Sequence, residues 1–371
     1  MSSNNRIFYA CQAVAINNCG KTTVDSGDMV HGVQSVGINT SFNLEQAFEL
    51  GQIEIYENIE GIPEVEVTLE KVIDGYPLMY LMASSGVVGT SSSGLAARAK
   101  QKCNVRLGIF DENENNVAGQ TSEVEVYCSG MYISSIGYTF PAEGNATESI
   151  TLVGNNKSWL TGASTEIETA DVVDFDGEDE PLAGGSTNYP SGGIQRREDV
   201  MLDLSILPSI INGVVGTGVG NSWDSSSLTP RVHLQNISIN TDFSREDILE
   251  LGRKTPYYRP AGFPIEVTCE IEAITTSGDF VTALEGGNPS YYATKNSGNN
   301  TSEDIIFIRL RAGMAFDLGN KNRLTSVSYG GGDAGGGNVS TTYSFNNFNV
   351  LKVKQDFHNS PANMAYGVDG V

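Results

Sequence analysis

The chain has 371 residues, with 22 Lys and Arg against 45 Asp and Glu, a formal net charge of −23. Such an acidic balance argues against a nucleic-acid-binding surface, which needs clustered basic side chains to meet phosphates. The length suffices for two domains with separate cores, and 42 glycines with only 18% charged residues point to an all-β chain rich in turns.

The first segment, Arg6 to Ile16, is mildly apolar but lacks the cationic start and small-residue cleavage site of an export signal. It reads as a first β-strand in a soluble protein made in a cytoplasm. No run approaches the roughly eighteen apolar residues of a membrane helix, so no membrane partner is expected. The five cysteines (Cys11, Cys19, Cys103, Cys128, Cys269) lack CxxC spacing and read as small buried thiols in a reducing compartment.

The next segment carries an internal repeat. Gln34 to Pro63 aligns with Gln235 to Pro264 at a constant shift of 201, with twelve identities in thirty positions. A strand with alternating character (Val36, Ile38, Thr40; Ile237, Ile239, Thr241) opens each copy. A short helix is expected to follow, over Phe42, Glu49, Leu50 and Gly51 in copy one and Phe243, Glu250, Leu251 and Gly252 in copy two. Ser244 three residues before Asp247 approximates a capping box, Phe243 can staple onto Ile248, and Gly51 and Gly252 serve as C′ stops.

Beyond the proline the shift falls to 200, and Val65-Glu66-Val67-Thr68-Leu69-Glu70 meets Ile265-Glu266-Val267-Thr268-Cys269-Glu270. Period-two alternation puts the apolar set on one face and Glu64, Glu66, Glu70, Glu266, Glu270 and Glu272 on the other. A slip of one residue would turn carboxylates into the core, so register is enforced. A third match, at a shift of 191, sets Ser135, Tyr138, Asn155 and Asn156 on Ser326, Tyr329, Asn346 and Asn347.

Further strands are expected at Val124 to Cys128, Ile305 to Arg311, Leu324 to Tyr329 and Thr341 to Val350. Domain one spans residues 1–165. An acidic and then Gly/Ser/Pro-rich linker covers 166–195, and domain two with a loose tail covers 196–371. The glycine-rich loop with Gly330, Gly332, Asp333, Gly335 and Gly337 is expected to be a flexible hairpin tip.

Chemistry is sparse. His31, His233 and His358 share no motif, and HExxH, paired-cysteine zinc patterns and P-loops do not occur. Asp111, Asn113 and Asn115, like Asp174 to Glu180, alternate oxygen ligands but lack the glycine and distant glutamate of an EF-hand; they read as a solvated turn and a linker. No catalytic residue, metal or cofactor is expected, and the chain is read as a non-enzyme. The glutamate rows fit either a solvated sheet face or the wall of a channel that repels polyanions.

The block FSREDILELGRKTPYYRPAGFPIEVTCEIE within Ile237 to Glu272, and LTSVSYGGGDAGGGNVSTTYSFNNFNVLKV from Leu324 to Val353, resemble the tail tube proteins of tailed bacteriophages. The resemblance implies a mainly-β fold of two tandem β-sandwich or half-barrel domains, each with one short flanking helix. It implies a virion tail protein whose rings stack, often through an extended loop, around a lumen for DNA. Its partners would be copies of itself, initiator or terminator proteins, and a tape measure or sheath. With two domains per chain, three chains would supply a pseudo-sixfold ring. A baseplate hub or tail adaptor ring of the same fold is the alternative. A host- or glycan-binding β-protein using Tyr257, Tyr258 and Trp223 is a second one.

Overall fold

The computed structural model describes residues 6–85, 94–111, 121–167, 193–201, 207–208, 211, 232–275, 281, 305–330 and 338–355. Asn113, Asn115, the acidic stretch 174–180, most of the expected linker, Trp223, His358, Gly332, Asp333, Gly335 and Gly337 lie outside those residues. The protein is mainly β and its sheets are antiparallel.

The first half contains β1 (Gln12–Asn18), β2 (Val33–Phe48), β3 (Ile55–Val72), β4 (Cys103–Ile109), β5 (Val124–Pro141), β6 (Thr147–Gly154) and β7 (Asn156–Thr161). The second contains β8 (Val200–Met201), β9 (Val232–Asp242), β10 (Glu266–Thr275), β11 (Phe307–Leu310), β12 (Met314–Asp317), β13 (Arg323–Gly330), β14 (Ser340–Phe348) and β15 (Lys352–Gln355). One sheet runs in the order β13-β14-β10-β9-β5-β6-β3-β2. Its two halves repeat one motif, because β2-β3-β6-β5 and β9-β10-β14-β13 have the same order and sense.

A second layer repeats too. The start of β5 pairs with β4 and β7, and β4 with β1; β15-β12-β11-β8 has the same arrangement. The two layers of each half meet in one apolar cluster containing Val14, Val67, Leu69, Val105, Ile239, Val267, Ile308 and Phe345. Alternation explains which side meets it. Val65, Val67, Leu69, Val267, Cys269 and Ile271 are buried, whereas Glu64, Glu70, Glu266 and Glu270 are exposed and Glu66 and Glu272 are half-buried.

Strand register refines the repeat. Thr40, Ile38 and Val36 face Val65, Val67 and Leu69, while Thr241, Ile239 and Ile237 face Val267, Cys269 and Ile271. If β2 and β9 correspond at 201, β3 and β10 therefore correspond at 202 and not 200. A slide of two residues leaves both faces unchanged, which is why alternation does not reveal it. Glu64 then matches Glu266 and Glu70 matches Glu272, but Glu66 matches Thr268. β6 and β14 correspond at 193, so Asn155 and Asn156 do not match Asn346 and Asn347. The 191 shift does hold for β5 and β13, down to a β-bulge between Ile133 and Ser135 in one and Leu324 and Ser326 in the other.

The expected helices are absent from their places. Phe42 lies within β2, which with β3 forms a long hairpin, and Glu49, Leu50 and Gly51 form its turn. Gln52 N–H donates to the Glu49 carbonyl at 3.2 Å, with Gly51 at φ +94°. This is the positive-φ glycine at the third position of a type II turn. Glu250, Leu251 and Gly252 make the same turn, closed by Arg253 N–H at 3.3 Å with Gly252 at φ +85°. There Phe243 and the residues after it form an irregular hairpin with an isolated bridge, Ile248 to Tyr258, and scattered backbone bonds such as Glu246 N–H to Pro260 carbonyl and Gly262 N–H to Phe243 carbonyl. Pro256 and Pro260 lack the N–H that a regular ladder needs.

The described α-helices are α1 (Met79–Ala83) and α2 (Leu95–Arg98), both in the first half. Buried Glu148 accepts from Met79 N–H at 2.7 Å, Tyr80 N–H at 3.1 Å and the Tyr138 hydroxyl at 3.1 Å, satisfying donors at the α1 start. Val267 is wholly buried, so Val267→Asp would place an uncompensated carboxylate in the core, at a cost of about 3–5 kcal/mol. The expected result is loss of soluble folded protein, assayed by expression and circular dichroism. A normally folded variant would mean that the faces are reversed.

Candidate assembly surface

The seam between the halves is a strand pair. β5 meets β9 antiparallel, from Ser135 opposite Asp242 to Pro141 opposite Asn236. Beyond the ladder, Phe243 N–H donates to Ser134 carbonyl, the bulge residue, at 2.8 Å. Arg245 closes that end: its Nε donates to Ile133 carbonyl at 2.8 Å and Nη1 to Arg259 carbonyl at 3.0 Å. Its guanidinium lies 5.0 Å from the Tyr132 ring centroid and 5.4 Å from that of Phe243. Burial is the main cause that brings the Arg245 pKa down to about 10, and the arginine still stays charged at neutral pH. Across the layers, Phe316 of β12 packs on Tyr138 at 4.6 Å and Phe140 at 5.2 Å.

Sequence reasoning missed this clamp. The signal is a departure between copies, since Arg245 occupies the position where copy one has Leu44. Arg259 supports it, donating to Asp247 at 2.9 Å and approaching Glu64 at 3.9 Å.

Away from the core, the long sheet shows Glu64, Glu66, Glu70, Glu266, Glu270 and Glu272 beside Thr68, Ser135, Ser149, Thr268 and Asn240. Asn346 Nδ2 donates to Glu266 Oε1. The strands pack closely at the seam because Gly137 has no Cβ, which would stand 2.7 Å from Ser149 Oγ and 2.9 Å from Asn240 Oδ1. Six carboxylates on one sheet face keep a negative potential that acts over about 8 Å at physiological salt.

Among the described residues β2 pairs only with β3, and β13 only with β14. The β2–β3 hairpin exposes Leu44, Phe48, Leu50, Ile53, Ile55 and Tyr56, interleaved with Glu45, Glu49, Glu54, Glu57 and Glu60 and with no lysine or arginine between Phe42 and Pro63. Its signal in the sequence is period two, with Phe42, Leu44, Phe48 and Leu50 on alternate positions. Gly330 ends β13 at its pair with Ser340.

Among the described residues no three His, Cys, Asp or Glu side chains are placed to hold a metal. His233 is exposed, whereas His31 is buried and stacks on Tyr76 at 4.0 Å. Cys11, Cys103, Cys128 and Cys269 are buried free thiols and Cys19 is exposed; burial raises Cys103 and Cys269 to about 12. Glu125 sits in a full set of partners: Arg106 at 2.9 Å, Ser122 at 2.7 Å and the Glu166 and Ile167 amides at 2.7 Å. It is a structural knot of the second layer.

No family model matches the chain, and neither does any curated protein. Among solved structures, it is similar to the tube-terminating cap of the anti-feeding prophage (15% identity, 44% of this chain, 95% of that chain, TM-score 0.31). The sheath–tube complex of the extracellular contractile injection system PVC gives 12% identity over 43% of this chain and 95% of that chain, TM-score 0.30. The sheath/tube terminator of that system gives 13% identity over 43% and 100%, TM-score 0.31. Likeness at this level does not establish a common fold.

His31 gives a pH test. Burial, and then the charge of Lys71, push its pKa from 6.5 down to about 4, so the fold holds the ring neutral. As pH falls below 6.5 the unfolded chain binds the proton first and stability is lost progressively until about pH 4. Buried Asp74 and Glu148, raised by burial, act in the opposite sense, so the comparison must be with His31→Gln. Denaturant midpoints at pH 7 and pH 4 should fall further in wild type than in the variant; equal falls would contradict a buried neutral ring.

Proposed function

We propose that this chain is a structural protein of a phage-like tail, forming trimeric, pseudo-sixfold rings that stack into a tube through which DNA passes. The carrying observation is that one four-stranded motif occurs twice, joined edge to edge, and leaves one unpaired edge of each kind. A contact between unlike edges is heterologous and continues until a ring closes. Three chains of eight strands give about 24 strands; at ~4.8 Å spacing and ~40° tilt the backbone cylinder is roughly 48 Å across. That bore is wide enough for a duplex between side chains.

The carboxylate face lines the bore in this reading, with Glu64, Glu66, Glu70, Glu266, Glu270 and Glu272 keeping it wet and repelling phosphates near the wall. The β2–β3 arm reaches a neighbouring ring, where burial of its apolar side chains at about 25 cal/mol per Å² contributes to stacking. Tail proteins at either end would start and stop the stack. No catalytic role is assigned to any residue.

Electron microscopy of concentrated purified protein should show hollow rings or tubes with three chains per ring, and solid or purely monomeric particles would refute the ring. Glu66→Lys with Glu266→Lys should fold normally, because neither side chain enters the core, yet impair DNA passage through assembled particles. Unchanged ejection would remove these residues from the lumen.

A further inference from the structure

From the internal seam we infer the interface between copies: β13 of one chain docks on β2 of the next in the β5–β9 register, with Phe42 as the plug. This rests on the ring reading and supplies its contacts. The correspondences of 191 for β5 to β13 and 201 for β2 to β9 convert the internal pairs into external ones. Ser135 opposite Asp242 becomes Ser326 opposite Ser41, and Ile136 opposite Thr241 becomes Val327 opposite Thr40. In the same way Ser328 faces Asn39, Tyr329 faces Ile38 and Gly330 faces Gly37.

Burial at matched positions identifies the occupant as a second copy. Phe243 and Tyr138, at the internal seam, are each 0% exposed; their counterparts at the open edges, Phe42 and Tyr329, are 69% and 54% exposed. A second copy is the partner that brings both complements at once. The bulge is ready as well, since Phe243 N–H bonds to Ser134 carbonyl and the matching acceptor for Phe42 N–H is Thr325 of the docking chain. An open groove of about 580 Å³ beside Val33 to Val36, lined also by Val14, Val30 and His31, continues along the same β2 edge.

The two seams differ at two places. Ser328 stands where the internal seam has Gly137, whose Cβ would lie 2.9 Å from Asn240 Oδ1, so the Asn39 amide must turn aside to admit it; the cation differs as well. Inside, the cation is Arg245 and it covers Tyr132 and Phe243. Outside, Leu44 stands for Arg245 and Arg323 for Tyr132, so the cation comes from the opposite strand and meets Phe42. This exchange makes the external seam separable from the fold.

The test uses the full chain in a Cys19→Ser background, removing the exposed thiol. Asn39→Cys with Ser328→Cys should give interchain disulfides on oxidation at assembling concentration. Asn39→Cys with Thr342→Cys should not, because Thr342 lies one strand further in, opposite Ser328. Phe42→Ser should abolish association while leaving the monomer's denaturant midpoint unchanged, whereas Phe243→Ser should lower it. Hollow rings without the first cross-link, or with the second instead, would overturn this register and leave the ring standing. A chain that stays monomeric at its solubility limit and never cross-links would overturn both. A Phe42→Ser midpoint as low as that of Phe243→Ser would place Phe42 in the monomer core and refute its role as plug.

Discussion

An unpaired β-edge is a row of peptide N–H and C=O groups that seek a partner strand, and a sheet with an apolar face cannot leave its edges bare without cost. This chain solves that problem once within itself, at the β5–β9 seam, and among the described residues carries the unsolved half of it at β2 and β13. The rest of the architecture follows. Because the halves repeat in order and sense, each open edge is the complement of the other and not of itself. In the proposed assembly, pairing would therefore run head to tail, as closed rings require, and not as twofold dimers.

Alternation divides the labour between faces. The apolar set of β3 and β10 joins the sandwich core while carboxylates take the opposite side, so the surface that would line a bore is fixed by the residues that fix register. The copies have diverged where neighbours differ. The first hairpin is long and laddered, with bulges at Phe42/Leu44 and Ala47/Phe48; the second is broken by Pro256 and Pro260 and folds back as an arginine clamp over Tyr132. The repeated motif thus has one seam within the monomer and, among the described residues, two edges with a single neighbour each.

Much of this is legible in the sequence. The repeat, the strands and the sidedness of Val67 and Glu66 follow from spacing, because a period of two has one physical meaning. The hairpin arms are harder. Glu-Leu-Gly at 49–51 and 250–252 fits a helix C′ and a type II turn equally, since both require a positive-φ glycine. The apolar positions Phe42, Leu44, Phe48 and Leu50 favour the turn, yet Gln46 and Ala47 blur the pattern. The two-residue slide between β3 and β10 is invisible to any argument from alternation. The seam itself has no local signature, for it joins strands about a hundred residues apart.

Hydrogen exchange of backbone amides across a concentration series tests the open-edge account most directly. Amides of β5 and β9 should be equally protected in dilute and concentrated protein. Those in Ser35 to Ser41 of β2 and Ser326 to Gly330 of β13 that face away from their own neighbours should become protected together, at one concentration, as copies join. Protection already present in the dilute monomer, or gained on one edge without the other, would contradict it.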